Sequence, residues 1–257
     1  MRPTFLLIFS LLSTSCALNM ANPDLRREFA PGGELRVGVN YGNPVIAQRA
    51  PAGGVPRGVG PELARELARR LDVPVRYVTY ESAGQMTDGL KEGAWDLAFL
   101  AVDPKRAQEI AFSPPYVEIE GTYLVKSDAP YQTMADVDKP GVRIAVGRGS
   151  AYDLFLTREL KSAELVRTTQ VPESMTALAA GRADVVAGVK QALDAQVKPG
   201  LRVMPGSFMV IRQASGVPQG RPNAARYLGE FIEEMKRSGF VRRALDASGN
   251  ADAPVAK

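Results

Sequence analysis

The chain has 257 residues, 45% hydrophobic and 23% charged, with 32 basic against 28 acidic side chains and a net charge of +4. That length suits one large domain or two small ones, and no apolar run nears the ~20 residues needed to cross a bilayer, which excludes disordered and integral membrane classes. The basic residues are scattered, which excludes a concentrated nucleic-acid footprint, and zero histidines with one cysteine, Cys16, weigh against triad hydrolases, zinc sites and disulfides.

The N-terminus joins one positive charge, Arg2, to the apolar segment Phe5–Leu12 and the small residues Ser13 to Ala17. This is the pattern of an export signal, here residues 1–21. Three readings stay open: cleavage at the small-x-small step Ser15-x-Ala17, lipidation of Cys16, or translation from Met20, which would leave the protein in the cytoplasm.

Glu34-Leu-Arg-Val-Gly-Val39 is a short apolar strand pattern that stops at the turn formers Asn40-Tyr-Gly-Asn-Pro44. A loop at the end of a buried strand is a natural ligand site. Gly60-Pro61 opens a helix to Leu71 with Leu63, Leu67 and Leu71 on one face. Val75–Tyr80 reads as a strand, residues 83–92 as a helix and Asp96–Val102 as a strand. The order β-α-β-α-β predicts an α/β fold with a mostly parallel sheet. Trp95, directly before a buried strand, is expected in the core or on the lobe surface rather than against a ligand.

The same grammar restarts at Val142-Arg-Ile-Ala-Val146, with helices over 150–160 and 173–180 and strands at 165–168 and 185–187. Leu90-x-x-Gly93-x-x-Asp96 and Leu178-x-x-Gly181-x-x-Asp184 stand before equivalent strands, and two copies in equivalent places predict two lobes. Between the halves, residues 116–125 form one crossover strand that puts Glu118 and Glu120 on one face, and 208–211 a returning one. The amphipathic helix 222–236, broken at Ser238-Gly239 and resumed through Leu245, completes the first lobe. Residues 249–257 are expected to fray.

From Glu34 to Gly249 the chain resembles the periplasmic solute-binding proteins of polar amino acid ABC transporters, bacterial extracellular solute-binding protein family 3. The resemblance rests on the Leu-Arg-Val-Gly-Val strand, Gly58-Val-Gly-Pro-Glu62-Leu63, the repeated L-x-x-G-x-x-D and, above all, Asp103-x-x-Arg106-x-x-x-Ile110-x-Phe112-Ser113-x-Pro115-Tyr116. It implies a type II periplasmic-binding-protein fold, two βα lobes joined by two crossover strands. Lobe one would hold 34–120 and 212–248, lobe two 121–211. It also implies a periplasmic monomer without cofactor or metal, which hands a small carboxylate ligand to an inner-membrane ABC permease.

By the same resemblance, Arg106 grips the ligand's carboxylate, since a guanidinium fork pairs with it through two parallel hydrogen bonds. Gly149, Ser150, Ala151 and Tyr152 supply N–H groups at a helix start, an intrinsic anion site. Asn40, Tyr41, Tyr80, Ala101 and Asp103 complete the expected pocket. Amino-acid-binding members usually carry Ser or Thr on the strand before the arginine, where this chain has Ala98, Phe99 and Ala101. They also carry an acid for the α-ammonium where it has Val189 and then Lys190. These departures imply either a substitute acid, from Glu81, Glu118 or Glu120, or a ligand with two anionic groups met by Arg106 and Lys190.

An alternative function is an exported cyclohexadienyl-dehydratase-like enzyme on the same scaffold, whose acid or base would come from Glu62, Glu81, Glu118, Glu120 or Lys190. A third is a sensor lobe pair that reports to a separate partner.

Overall fold

The computed structural model describes residues 23–257, so the export-signal, Cys16 and Met20 readings fall outside the described residues. A short helix α1 (Pro23–Phe29) precedes strand β1 (Leu35–Asn40). β1 runs parallel to β2 (Val75–Tyr80) on one side and β3 (Leu97–Ala101) on the other. Helix α2 (Val59–Leu71) leads into β2, and buries Leu63, Leu67 and Leu71, spaced four apart on a single stripe. Helix α3 (Ala83–Lys91) leads into β3; its start is fixed by Ser82, whose side chain accepts a hydrogen bond from the Gln85 N–H. Trp95 is fully buried, donating to the Met86 carbonyl at 2.8 Å, and so takes the core rather than the surface of its lobe.

After the short β4 (Ile110–Phe112) comes the long β5 (Val117–Lys126). Its first residues pair antiparallel with β10 (Met209–Pro218), and at Gly121 it exchanges that partner for β8 (Val185–Val189). β8 and β7 (Glu164–Thr168) flank β6 (Arg143–Gly147), all parallel, and β9 (Leu201–Val203) adds to the far end of β5. The spatial order β2-β1-β3-β10-β5-β8-β6-β7 therefore holds two parallel half-sheets joined by two antiparallel strands. In the second half α4 (Ala151–Glu159), α5 (Val171–Ala179) and α6 (Lys190–Asp194) follow β6, β7 and β8, and α7 (Pro222–Arg237) and α8 (Phe240–Ala247) return to the first half against α1 and α2.

The repeated motif marks one device built twice. Asp96 accepts from Arg36 Nε and Nη2 at 2.7 and 2.9 Å, tying the start of β3 to β1. Asp184 accepts from Arg143 Nε and Nη2 at 3.0 and 2.9 Å, tying β8 to β6. Asp96 also receives Arg221 Nη1 at 3.0 Å from the turn before α7 and is fully buried, whereas Asp184 keeps 30% of its side chain exposed. Glu118 and Glu120 share the outer face of β5, as its alternation predicts.

The chain end does not fray. Ala253 and Ala256 are buried, Val255 bridges Val117, the Glu118 N–H donates to the Pro254 carbonyl, and the Ala256 N–H donates to that of Tyr116. The open edge of β5 offers unpaired backbone groups, and the tail satisfies them.

Candidate functional site

The parallel strands of both halves point their C-terminal ends at one cleft, the place where open α/β sheets bind ligands. From the first half come Asn40, Asn43 and Ile46, then Ser82 and Ala83 at the start of α3, and Phe99, Leu100, Ala101 and Arg106 at and beyond the end of β3. The second half contributes Gly147, Ser150, Ala151, Tyr152 and Val189, and β10 contributes Ile211 and Gln213. The space not filled by atoms, open mouth included, is about 560 Å³.

Arg106 is only 5% exposed. Its Nη1 donates to the Ala101 carbonyl at 2.9 Å and its Nη2 to the Gly149 carbonyl, across the cleft, at 2.8 Å, while its buried Nε has no hydrogen-bond partner. Burial pushes the guanidinium pKa down to about 10, against an opposing pull from Asp103. Asp103 is itself committed: it accepts from the Lys105 N–H at 2.8 Å and from Arg158 Nη1, on α4, at 2.9 Å. The cation is thus held by carbonyl dipoles, without a carboxylate in hydrogen-bond contact.

The backbones of the two halves touch beside it. A Cβ on Gly84 would run into the Arg148 carbonyl oxygen, and one on Gly149, whose φ is +70°, would come within 2.7 Å of the Gly84 Cα. Only glycine allows an approach this close. At the start of α4 the Ser150 hydroxyl accepts the Asp153 N–H at 3.0 Å, and Asp153 accepts the Gly149 N–H at 2.7 Å. Burial pushes the Tyr152 phenol up to about 12, with the Ser150 hydroxyl pulling the other way.

Of the residues expected from sequence, Arg106, Asn40, Ala101, Ser150, Ala151 and Tyr152 line the cleft. Five do not. Tyr41 lies under the Arg49 guanidinium, 4.3 Å from its ring centre, and Tyr80 packs with Met86 and Trp95 behind α3. Asp103 is turned to Arg158, and Gly149 stands at the outer mouth. Lys190 begins α6 outside the cleft and donates to Asp194 at 2.6 Å, a bond that raises its pKa against the effect of burial. The substitute acids are elsewhere too: Glu81 pairs with Arg49 and Glu118 with Arg212, while Glu120 faces solvent. Glu62 pairs with Arg65 on α2. None of the five candidate acid–base residues lines the cleft.

Sequence reasoning did not single out Asn43 and Gln213. Both are more than nine-tenths buried, yet the Asn43 Oδ1 lacks a partner and the Gln213 side chain makes no hydrogen bond with the rest of the described chain. A glutamine amid the apolar alternation of β10 was the available signal. On the outer side of Arg106 a wider groove holds Lys91, Lys105, Arg148 and Arg167 against Asp88, Glu109 and Asp153.

Residues 35–247 match the model of the bacterial extracellular solute-binding proteins, family 3. The chain belongs to this family. Among family 3 relatives it is similar to the cyclohexadienyl dehydratase of Pseudomonas aeruginosa, 24% identical over 222 residues that cover 83% of this chain and 82% of the relative. It is also similar to the glutamine-binding protein of Geobacillus stearothermophilus, 24% identical over 185 residues, 68% of this chain and 69% of the relative. In fold it is similar to the crystal structure of the cysteine-binding protein from Campylobacter jejuni, with a TM-score of 0.76 at 20% identity over 92% of this chain and 99% of that one. The family, typically periplasmic, fixes a solute-binding scaffold of the type II periplasmic-binding-protein class.

Proposed function

We propose that this family 3 protein captures a small carboxylate-bearing solute, an amino acid or an amino-acid-like organic acid, between its two halves and delivers it to an inner-membrane ABC permease. The observation that carries this reading is Arg106, a buried cation that faces a cleft with carbonyl oxygens as its protein partners and a spare Nε. A desolvated guanidinium is costly until an anion meets it, and a carboxylate is the planar partner its fork fits. The basic outer groove favours the approach of an anion. Closure of the halves is a hinge motion that shields the ligand and changes the surface a permease would meet.

The test is calorimetric titration of the purified protein with a panel of carboxylates. Saturable binding, abolished by Arg106→Ala, is expected. Unchanged binding in that variant, or no saturable carboxylate, would refute the reading. The similarity to a dehydratase motivates a second reading, catalysis on a carboxylated ring. Incubation with prephenate or arogenate separates the two, because appearance of an aromatic product would require the enzyme. A cleft without a lining carboxylate or amine supports binding without turnover.

A further inference from the structure

The charge carried by the cleft is unusually simple. Arg106 is the one charged side chain among the described residues that line it. Of the carboxylates near the mouth, Asp103 is engaged with Arg158, Asp153 with the Gly149 N–H and Arg167, and Glu81 with Arg49, while Asp88 and Glu109 lie in the outer groove and do not line the cleft. An ammonium group brought into this space would lose its water and meet no anion, an outcome that binding does not tolerate cheaply. A second carboxylate would fare no better, because Lys190 is turned outward to Asp194.

What the cleft does hold in reserve is neutral. Asn43 and Gln213, buried and without side-chain partners, each offer an amide that can both donate and accept. Such groups match a hydroxyl or keto oxygen, which needs hydrogen bonds and no counter-charge. Beside the polar Asn40, Ser82, Ser150 and Tyr152, the walls Ile46, Phe99, Val189 and Ile211 are apolar. We infer that the ligand is a monocarboxylic acid without an ammonium group, a 2-hydroxy or 2-oxo acid with an apolar remainder.

This inference rests on the carboxylate reading of the same cleft, and the experiment keeps the two apart. The full chain is titrated with matched sets that share a side chain: leucine and phenylalanine, their 2-hydroxy acids, their 2-oxo acids, and a four-carbon dicarboxylate. Expected is a 2-hydroxy or 2-oxo acid that binds at least tenfold tighter than its amino counterpart, with binding lost in Arg106→Ala. In Gln213→Glu, a near-isosteric change that adds an anion to the cleft, the preference should move at least tenfold toward the amino acid. If the amino acid or the dicarboxylate binds tighter in the unmodified protein, and Arg106→Ala abolishes it, the inference is overturned and the carboxylate reading stands. If Arg106→Ala leaves binding intact, or no carboxylate binds, both fall together.

Discussion

Replacing Gly84 with alanine adds one methyl group at the point where the two halves touch, and its two consequences have opposite signs. Gly84 lies in the first turn of α3, so alanine favours the helix by about 1 kcal/mol. The same Cβ collides with the Arg148 carbonyl, and restoring an ordinary contact parts the halves by roughly 1 Å. That displacement stretches the 2.8 Å bond from Arg106 to the Gly149 carbonyl and the 2.9 Å pair between Asp103 and Arg158 past hydrogen-bond range. A hydrogen bond contributes about 1 kcal/mol net and a half-exposed ion pair about 0.5, so closure loses roughly 1–2 kcal/mol. Affinity should therefore fall about 5- to 30-fold, read by calorimetry, while the melting temperature of the protein alone holds or rises. Wild-type affinity in Gly84→Ala would refute the argument that this contact gates closure.

Three further outcomes follow from the framework around the cleft. Asp96→Ala strands Arg36 and Arg221 around a buried void and should cost about 3–5 kcal/mol in chemical denaturation. The equivalent Asp184→Ala, at a partly exposed pair, should cost about 1 or less; equal losses would show that burial is not what separates the two copies. Deleting residues 250–257 removes the bonds of Pro254 and Ala256 to β5 and of Arg242 to Ala253, for a loss of about 3 kcal/mol, whereas an inert tail would leave stability unchanged. Glu66 is held down at about 2, first by Arg69, against burial, with Arg70 adding to the pull. Its folded pKa lies below the unfolded one, so its contribution is present above about pH 4.5 and is lost as pH falls through about 2; Glu66→Gln should flatten the acid arm of the stability curve there.

The alternation and helix periodicity of the sequence located Val75–Tyr80, Ala83–Lys91 and Pro222–Arg237 within one residue, because each is held by an apolar face that repeats in the chain; β10, expected only over 208–211, runs on to Pro218 because its second half pairs with β3 and β4. Brief pieces escaped: β4 and β9 are three residues each, too short for a period to show, and the tail has a composition typical of loose ends. Arg106 was legible because a cation after a buried strand is conspicuous. Lys190 and Tyr80 were misplaced because strand-end position does not give side-chain direction; a nearby Asp194 and the packing space over Gly89 decided those. Gln213 escaped because the apolar run 208–211 ends at Arg212, so the sequence pattern stopped short of the half of β10 that carries it.

The two crossover strands also set an order of assembly. Strands β5 to β9 lie within one continuous stretch of chain, so the second half can complete its sheet as soon as that stretch exists. The first half cannot: β3 waits for β10, α2 waits for α8, and the edge of β5 waits for residues 254–256. Contacts that distant in sequence form slowly, since a long loop must close before they repay it. The half that supplies Arg106 is therefore finished after the other, and during synthesis an arginine that will end as a buried cation stays hydrated until β10 and α8 have docked.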